Sequence, residues 1–278
     1  MKRSLAIMLT LTLALTLCAC GAKKTESAAV PPDTAPLAED IVVFAAASLK
    51  ETLSEIGENY KAVMPGATVT FSFGSSGTLQ TQIEEGADCD LFISAAPKQM
   101  NALRDAGLID EASRRDLLEN KVALVVAEGN PKGVVSFEEL LGRASAGDIL
   151  IAVGNSDVPV GQYTRKIFAY YGTDEDALSN MGVLTYGGDV KEVVTQVSEG
   201  AADCGVVYAT DAFSAGLAVV DTATAEMCGQ VIYPAAVLKN AAHADAAGAF
   251  LSYLESKDAA EVFEAVGFTA LRRAGNVS

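Results

Sequence analysis

From residue 40 onward, short apolar runs alternate with amphipathic stretches. Residues 41–47, within "DIVVFAAA", form a continuous apolar run, the mark of a strand buried on both faces. The following "SLKETLSEIGENYKAV" sets Leu49, Leu53, Ile56, Tyr60 and Val63 on one helical face. Further strands are predicted at "ATVTFSF", "DLFISA", "KVALVVAE", "DILIAVGN", "CGVVYAT" and "GQVIYPAAVLK", the last interrupted by Pro234. Helices are predicted at "SGTLQTQIEEGA", about 97–105, about 111–119, "SFEELLGRA", "GQYTRKIFAYYG" and "DVKEVVTQVSEGA", with two more near 244–255 and 258–266. Such alternation predicts an α/β fold with mostly parallel sheets.

One segment echoes another. Residues 81–95 read "TQIEEGADCDLFISA" and residues 195–209 read "TQVSEGAADCGVVYA"; allowing one inserted alanine, the helix end, the Asp-Cys pair and the following strand all match. Two related lobes explain a match of this length better than chance does. "KVALVVAE" and "GQVIYPAAVLK" are then the candidate crossovers, dividing the chain into lobe I (40–123 plus 236–278) and lobe II (124–235). Two extended crossovers make a hinge, and the cleft between the lobes becomes the expected binding site.

Open α/β sheets bind ligands beyond the carboxyl ends of their strands. The residues expected there are Ser48 after the first strand, Ser75, Ser76 and Thr78 in "FGSSGT", the loop "VGNSDVPVGQY", the loop "YGGDVKE", and Tyr208 at a strand end. Several of these loops open helices, where unpaired N–H groups and the helix dipole favour an anion. Ser48 with Glu51, and Asp189 with Glu192, have capping-box spacing. Glycines 74, 77, 187 and 188 permit close backbone approach. Each feature alone reads as an ordinary cap, turn or core aromatic. Four helix-opening loops on two lobes together predict a neutral, donor-rich cleft. Lys50 and Lys191, off the apolar stripes of their helices, are expected to be solvated.

The amino terminus stands apart. Lys2 and Arg3 precede an apolar stretch, residues 4–17, that is short for a bilayer span, so residues 1–19 read as an export signal. "LCAC" resembles a lipobox, with cleavage before Cys20 and lipid on its sulfur; an ordinary signal peptide that contains cysteines is the alternative. Residues 20–39, small, polar and proline-rich, suit a flexible tether. Loss of Lys2 and Arg3 leaves 18 basic against 36 acidic residues, a net charge of −18. Nucleic acid is therefore not an expected partner, and any bound anion must be held by short, directed contacts. Of the remaining cysteines, Cys204 and Cys228 could pair outside the cytoplasm, but three buried thiols, Cys89 included, is the simpler reading. With no CxxC and a single histidine, His243, a zinc or iron site has almost nothing to build on.

"VVFAAASL", "SFGSSGTLQTQIEEGADCDLFISA", "IAVGNSDVPVGQYTRK", "GDV", "GVVYATDA" and "YPAAVL…AFLSYLES…AAEVFEAVGF" closely resemble the molybdate-binding proteins of bacterial ABC importers, over about residues 40–270. The resemblance implies a two-lobed periplasmic-binding-protein-like fold of type II, a mixed sheet in each lobe. It also implies an oxyanion site at Ser48, Ser76, the backbone N–H groups of Val160 and Val190, and Tyr208. The metal of molybdate would be met only through its oxygens, without direct metal ligands. Val160 stands where alanine is frequent in the family, which changes bulk rather than a main-chain donor. Gly77 replaces a serine of some relatives, and the double glycine before Asp189 is a further departure.

The implied protein is an extracytoplasmic, lipid-anchored monomer without a cofactor, delivering molybdate or tungstate to a membrane permease. The alternative is a binder of another small anion such as sulfate. Catalysis is not expected: "FGSSG" lacks G-x-S-x-G spacing, no base accompanies the serines, and neither phosphate-loop fingerprint occurs. Roughly seven charge-assisted hydrogen bonds would supply about 10–20 kcal/mol gross, consistent with a net affinity of about −8 to −12 kcal/mol. A lining made only of donors would select an oxyanion without a proton, provided that Asp189 serves as a helix cap and Asp157 faces water.

Overall fold

The computed structural model describes residues 40–271. The export signal, Cys20, the tether and residues 272–278 lie outside the described residues.

The strands are β1 (Asp40–Ala46), β2 (Thr68–Gly74), β3 (Leu91–Ile93), β4 (Arg115–Asn120), β5 (Val122–Val126), β6 (Ile151–Gly154), β7 (Leu184–Gly187), β8 (Cys204–Tyr208), β9 (Ala218–Thr222), β10 (Val231–Val237) and β11 (Thr269–Ala270). The helices are α1 (Lys50–Val63), α2 (Ser76–Glu84), α3 (Pro97–Asp105), α4 (Phe137–Ala144), α5 (Pro159–Tyr170), α6 (Glu175–Asn180), α7 (Val190–Ser198), α8 (Ala209–Ala215), α9 (Ala225–Cys228), α10 (Ala244–Leu254) and α11 (Lys257–Ala265). A 3-10 turn, Ala47–Leu49, joins β1 to α1.

Two sheets result. One has the order β11-β4-β10-β3-β1-β2 and the other β7-β6-β8-β5-β9. Parallel pairing is confined to β2-β1-β3 and β7-β6-β8, and the remaining strands pair antiparallel, so both sheets are mixed and less parallel than the alternation predicts. The chain passes between sheets at Lys121, the single residue separating β4 from β5, and again between β9 and β10. The expected divisions at 123/124 and 235/236 fall within β5 and β10, each of which lies in one sheet.

Read from the β2 and β7 edges, the sheets repeat one plan: three parallel strands followed by two antiparallel ones. The sequence echo falls on equivalent elements, α2–β3 in one half and α7–β8 in the other. An aspartate at each echo does similar work from a different position, Asp90 just after the Asp88-Cys89 pair and Asp203 within the Asp203-Cys204 pair. Asp90 accepts from Val42 N of β1 at 2.9 Å, and Asp203 from Leu150 N, just before β6, at 2.8 Å.

Other expectations need revision. Residues 115–120 form a strand rather than the end of a helix: "RDLLEN" has good helix formers, but pairing with β10 and β11 and burial of Leu117 and Leu118 override local propensity. On α1, Leu53, Ile56 and Tyr60 are buried behind Leu49, whereas Val63, in the last turn, is exposed. Pro234 sits at a register shift of β10, where its missing N–H disturbs the ladder least.

Candidate functional site

The carboxyl ends of strands from both sheets meet at a tight cavity of about 10 Å³, room for roughly one water-sized sphere. Ser48, Ser76, Val160, Val190 and Tyr208 all line it, together with Ala95, Val158, Asp189 and parts of the adjoining turns. That space is on the scale of a single water-sized group, far below the roughly 300–1,000 Å³ typical of sites for drug-sized ligands.

Each position follows from local structure. Ser48 lies in the 3-10 turn and is buried, and its Oγ is 3.0 Å from the Tyr233 hydroxyl. It does not cap α1: the N-cap is Leu49, without a side-chain bond, so the capping box expected with Glu51 does not form. Glu51 instead meets Lys191. Ser75, not Ser76, caps α2, accepting from Gly77 N at 3.2 Å. Ser76 is the first residue of the helix, and its Oγ accepts from Ala95 N at 3.0 Å. That bond occupies the acceptor side of the hydroxyl and leaves its proton to be donated.

In the other half, Pro159 opens α5, where its missing N–H costs nothing. Val160 follows in the first turn, so its N–H has no acceptor four residues back within the helix. Gly161 lets this turn lie against β6, because a Cβ there would fall on the carbonyls of Gly154 and Asn155. Asp189 caps α7 as expected, its Oδ1 accepting from Lys191 N at 2.8 Å and Glu192 N at 3.0 Å. Asp189 lines the cavity, but this oxygen is engaged by the helix, and the N–H of Val190 remains outside the capping bonds. Asp157 is exposed, also as expected.

Tyr208 ends β8 and is 1% exposed. Its hydroxyl has no well-formed hydrogen bond among the described residues. Burial, reinforced by the neighbouring Tyr233, pushes its pKa well above the usual phenol range, so it is a neutral donor. A buried hydroxyl without a partner carries a desolvation cost of about 1–3 kcal/mol, which a bound acceptor would remove.

No lysine, arginine or histidine is part of the lining. Positive potential comes from the amino ends of α2, α5 and α7. His243 lies elsewhere, 3.4 Å from Asp90. Cys89, Cys204 and Cys228 are free and buried.

Sequence reasoning overlooked a polar layer behind the cavity. Lys191 is only partly solvated: its Nζ lies 2.7 Å from Glu51 Oε2 and 2.9 Å from Asp211 Oδ1, the latter an ion pair without good hydrogen-bond direction. Burial pulls the ammonium pKa down, but the two carboxylates outweigh it and hold the pKa above its usual value. Asp211 is buried and its pKa is pushed up to about 6 by burial, against the opposing pull of Lys191. Asn120 and Tyr233 were equally silent. A lone polar side chain between "LLE" and "KVALVV" was the available signal for Asn120.

A family profile described as "Bacterial extracellular solute-binding protein" matches residues 41–269. YvgL of Bacillus subtilis (strain 168), whose assigned name is that of an ABC transporter substrate-binding lipoprotein, is 36% identical over 232 residues, covering 83% of this chain and 86% of that protein. Molybdate-binding protein ModA of Escherichia coli (strain K12) is 37% identical over 236 residues, 82% of this chain and 88% of the relative. Among solved structures, the Azotobacter vinelandii periplasmic molybdate-binding protein shares the fold, with TM-score 0.72 at 24% identity, covering 84% of this chain and 100% of that one. Built on this two-sheet plan and matched over nearly all of its described length, the chain belongs to the bacterial extracellular solute-binding protein family.

Proposed function

We propose that this protein captures molybdate, and equally tungstate, in the cavity between its two sheets and hands it to the membrane permease of an ABC transporter outside the cytoplasm. The observation that carries this reading is the convergence of the Ser48, Ser76 and Tyr208 hydroxyls with the Val160 and Val190 amides, without a cationic side chain in the lining and with the one lining carboxylate, Asp189, capping α7 through its Oδ1. A tetrahedral dianion supplies acceptor oxygens in several directions, which matches donors arriving from two sheets. Five such bonds at about 1.5–3 kcal/mol each give roughly 8–15 kcal/mol gross, opposed by lost freedom and desolvation.

The ModA name of the relatives supports the choice of oxyanion, and the extracellular family supports the location. In this reading ligand contacts drawn from both halves stabilise their approach, and the permease recognises that arrangement. Cys20, lipidated after removal of residues 1–19, tethers the monomer at the membrane surface. In this reading the cavity binds and releases without turnover or a cofactor: no histidine or lysine lines it, and the Asp189 carboxylate serves as the cap of α7.

Titration calorimetry with molybdate, tungstate, sulfate and phosphate tests the reading. Micromolar or tighter binding of the first two is expected, with at least tenfold weakening in Ser48→Ala/Ser76→Ala, a floor set by the loss of even one charge-assisted bond at about 1.5 kcal/mol. Micromolar binding of sulfate without any response to molybdate would overturn it in favour of another anion.

A further inference from the structure

The Ser48 hydroxyl does not stand alone. Behind it runs a buried polar chain whose direction can be worked out from one backbone amide. Asn120 ends β4 beside the crossing at Lys121. Its Oδ1 accepts from Lys121 N at 2.8 Å, so the oxygen of the side-chain amide faces the main chain and the nitrogen faces the interior. That nitrogen is 2.9 Å from Thr210 Oγ1 and 3.3 Å from the Tyr233 hydroxyl. The Tyr233 oxygen is therefore an acceptor towards Asn120.

A phenol has a single proton. Tyr233 is fully buried, and burial keeps its phenol neutral. The remaining hydrogen-bond partner of its hydroxyl is Ser48 Oγ, at 3.0 Å. Asn120 donates to the Tyr233 oxygen, and Ser48 Oγ is the acceptor within hydrogen-bond distance of the Tyr233 proton. The proton of Ser48 is then left for the cavity that this residue lines. The ring of Tyr233 is held edge-on between Tyr208, at 5.7 Å and 65°, and Phe268, at 5.3 Å and 81°, so its hydroxyl has little freedom to turn away.

We propose that Asn120 and Tyr233 are positioning residues that fix Ser48 as a hydrogen-bond donor to the cavity, and thereby set the discrimination against oxyanions that carry a proton. The inference rests on the oxyanion reading above. A Ser48 hydroxyl free to rotate can either donate or accept, and in the second state it accommodates the P–O–H of hydrogen phosphate. Held by Tyr233, it accommodates only a bare oxygen. Asn120, at the passage between the sheets and bonded to Thr210 of α8, also ties this setting to the contact between the halves.

The test is a double-mutant cycle read by calorimetry at pH 7.5, with molybdate and phosphate as probes, on wild type, Tyr233→Phe, Ser48→Ala and Tyr233→Phe/Ser48→Ala. Tyr233→Phe is expected to weaken molybdate binding about fivefold, as loss of one neutral hydrogen bond does, and to shrink the molybdate-to-phosphate affinity ratio by more than it weakens molybdate binding. Both effects should vanish in the Ser48→Ala background. Asn120→Ala, should Tyr233→Phe fail to fold, is expected to shift the same ratio in the same direction by about half as much on a logarithmic scale, again only when Ser48 is present. If wild type binds molybdate but the effect of Tyr233→Phe persists undiminished without Ser48, or the ratio does not move, the positioning role is overturned and the function stands. If wild type binds no molybdate, the functional reading fails and this inference fails with it.

Discussion

The six-stranded and five-stranded halves supply the cavity from the same topological positions with different chemistry. After the first strand of the plan stands Ser48 in one half and Val160 in the other; at the start of the helix after the second strand stand Ser76 and Val190; at the third strand's end stand Ala95 and Tyr208. One half therefore brings two side-chain hydroxyls, and the other two main-chain amides and a phenol. A repeated architecture fixes where a donor stands, while the sequence of each half decides whether it belongs to the side chain or to the backbone. Where the backbone donates, the residue type says little, which is why valine can occupy a polar site.

The comparison can be broken first at the seam. Gly77 of α2 lies so close to the loop before α5 that a Cβ there would fall on the Asp157 carbonyl. Gly77→Ala should prop the halves apart and weaken molybdate binding about a hundredfold, at the upper end of the roughly 1–3 kcal/mol that overpacking costs. Its melting temperature should stay near wild type, because the clash exists only where the halves touch. Unchanged affinity in calorimetry would mean that their approach is not needed for binding.

A smaller effect separates main-chain from side-chain donation. Val190 is the first residue of α7 and follows an extended Asp189 (φ −151°, ψ 178°), a setting in which proline fits without disturbing the helix. Val190→Pro removes only the N–H and should weaken binding about thirtyfold, within the ~1.5–3 kcal/mol of a bond to a charged acceptor. Val190→Ala keeps the amide and should stay within about threefold, as expected for a side chain that contributes packing alone. Equal losses in the two variants would assign the effect to the valine side chain.

The ion pair across the seam should matter less. Glu51→Gln leaves Lys191 paired with Asp211 and should change affinity about two- to threefold, in line with a half-exposed pair. A fall beyond tenfold would make that pair a principal clamp between the halves.

Asp211 offers the subtlest readout. Its folded-state pKa, about 6, lies above the ordinary aspartate value of 3.8. The folded form thus holds this proton more tightly than the unfolded chain does. The resulting stabilisation is complete below about pH 4 and is lost as pH rises to about 6. Denaturant unfolding from pH 4 to 8 should show wild-type stability, relative to Asp211→Asn, falling across that window and level above it. A difference that stays flat throughout would remove the buried-charge account.

Much of this fold was legible because its signals are local. Apolar runs of strand length, helical stripes and the Thr-Gln/Asp-Cys echo each arise from residues adjacent in the chain, and burial of an apolar face leaves a periodic trace. Residues 115–120 were misread because their helical preference is real and is overruled by two strands more than a hundred residues away. Ser48 likewise has the spacing of a cap, yet its partner, Tyr233, lies 185 positions along the chain.

By itself, the sequence determined an α/β chain of two related halves, and placed hydroxyls and helix starts at strand ends where an anion can be held. Tertiary structure alone decided which donors are free. It turned Ser76 towards Ala95, engaged Asp189 with its own helix, drew Lys191 back to Asp211 and left the Tyr208 hydroxyl without a partner. The reason is physical. Periodicity records burial, which is a property of each residue, whereas hydrogen-bond saturation belongs to pairs whose members meet only once the halves are folded.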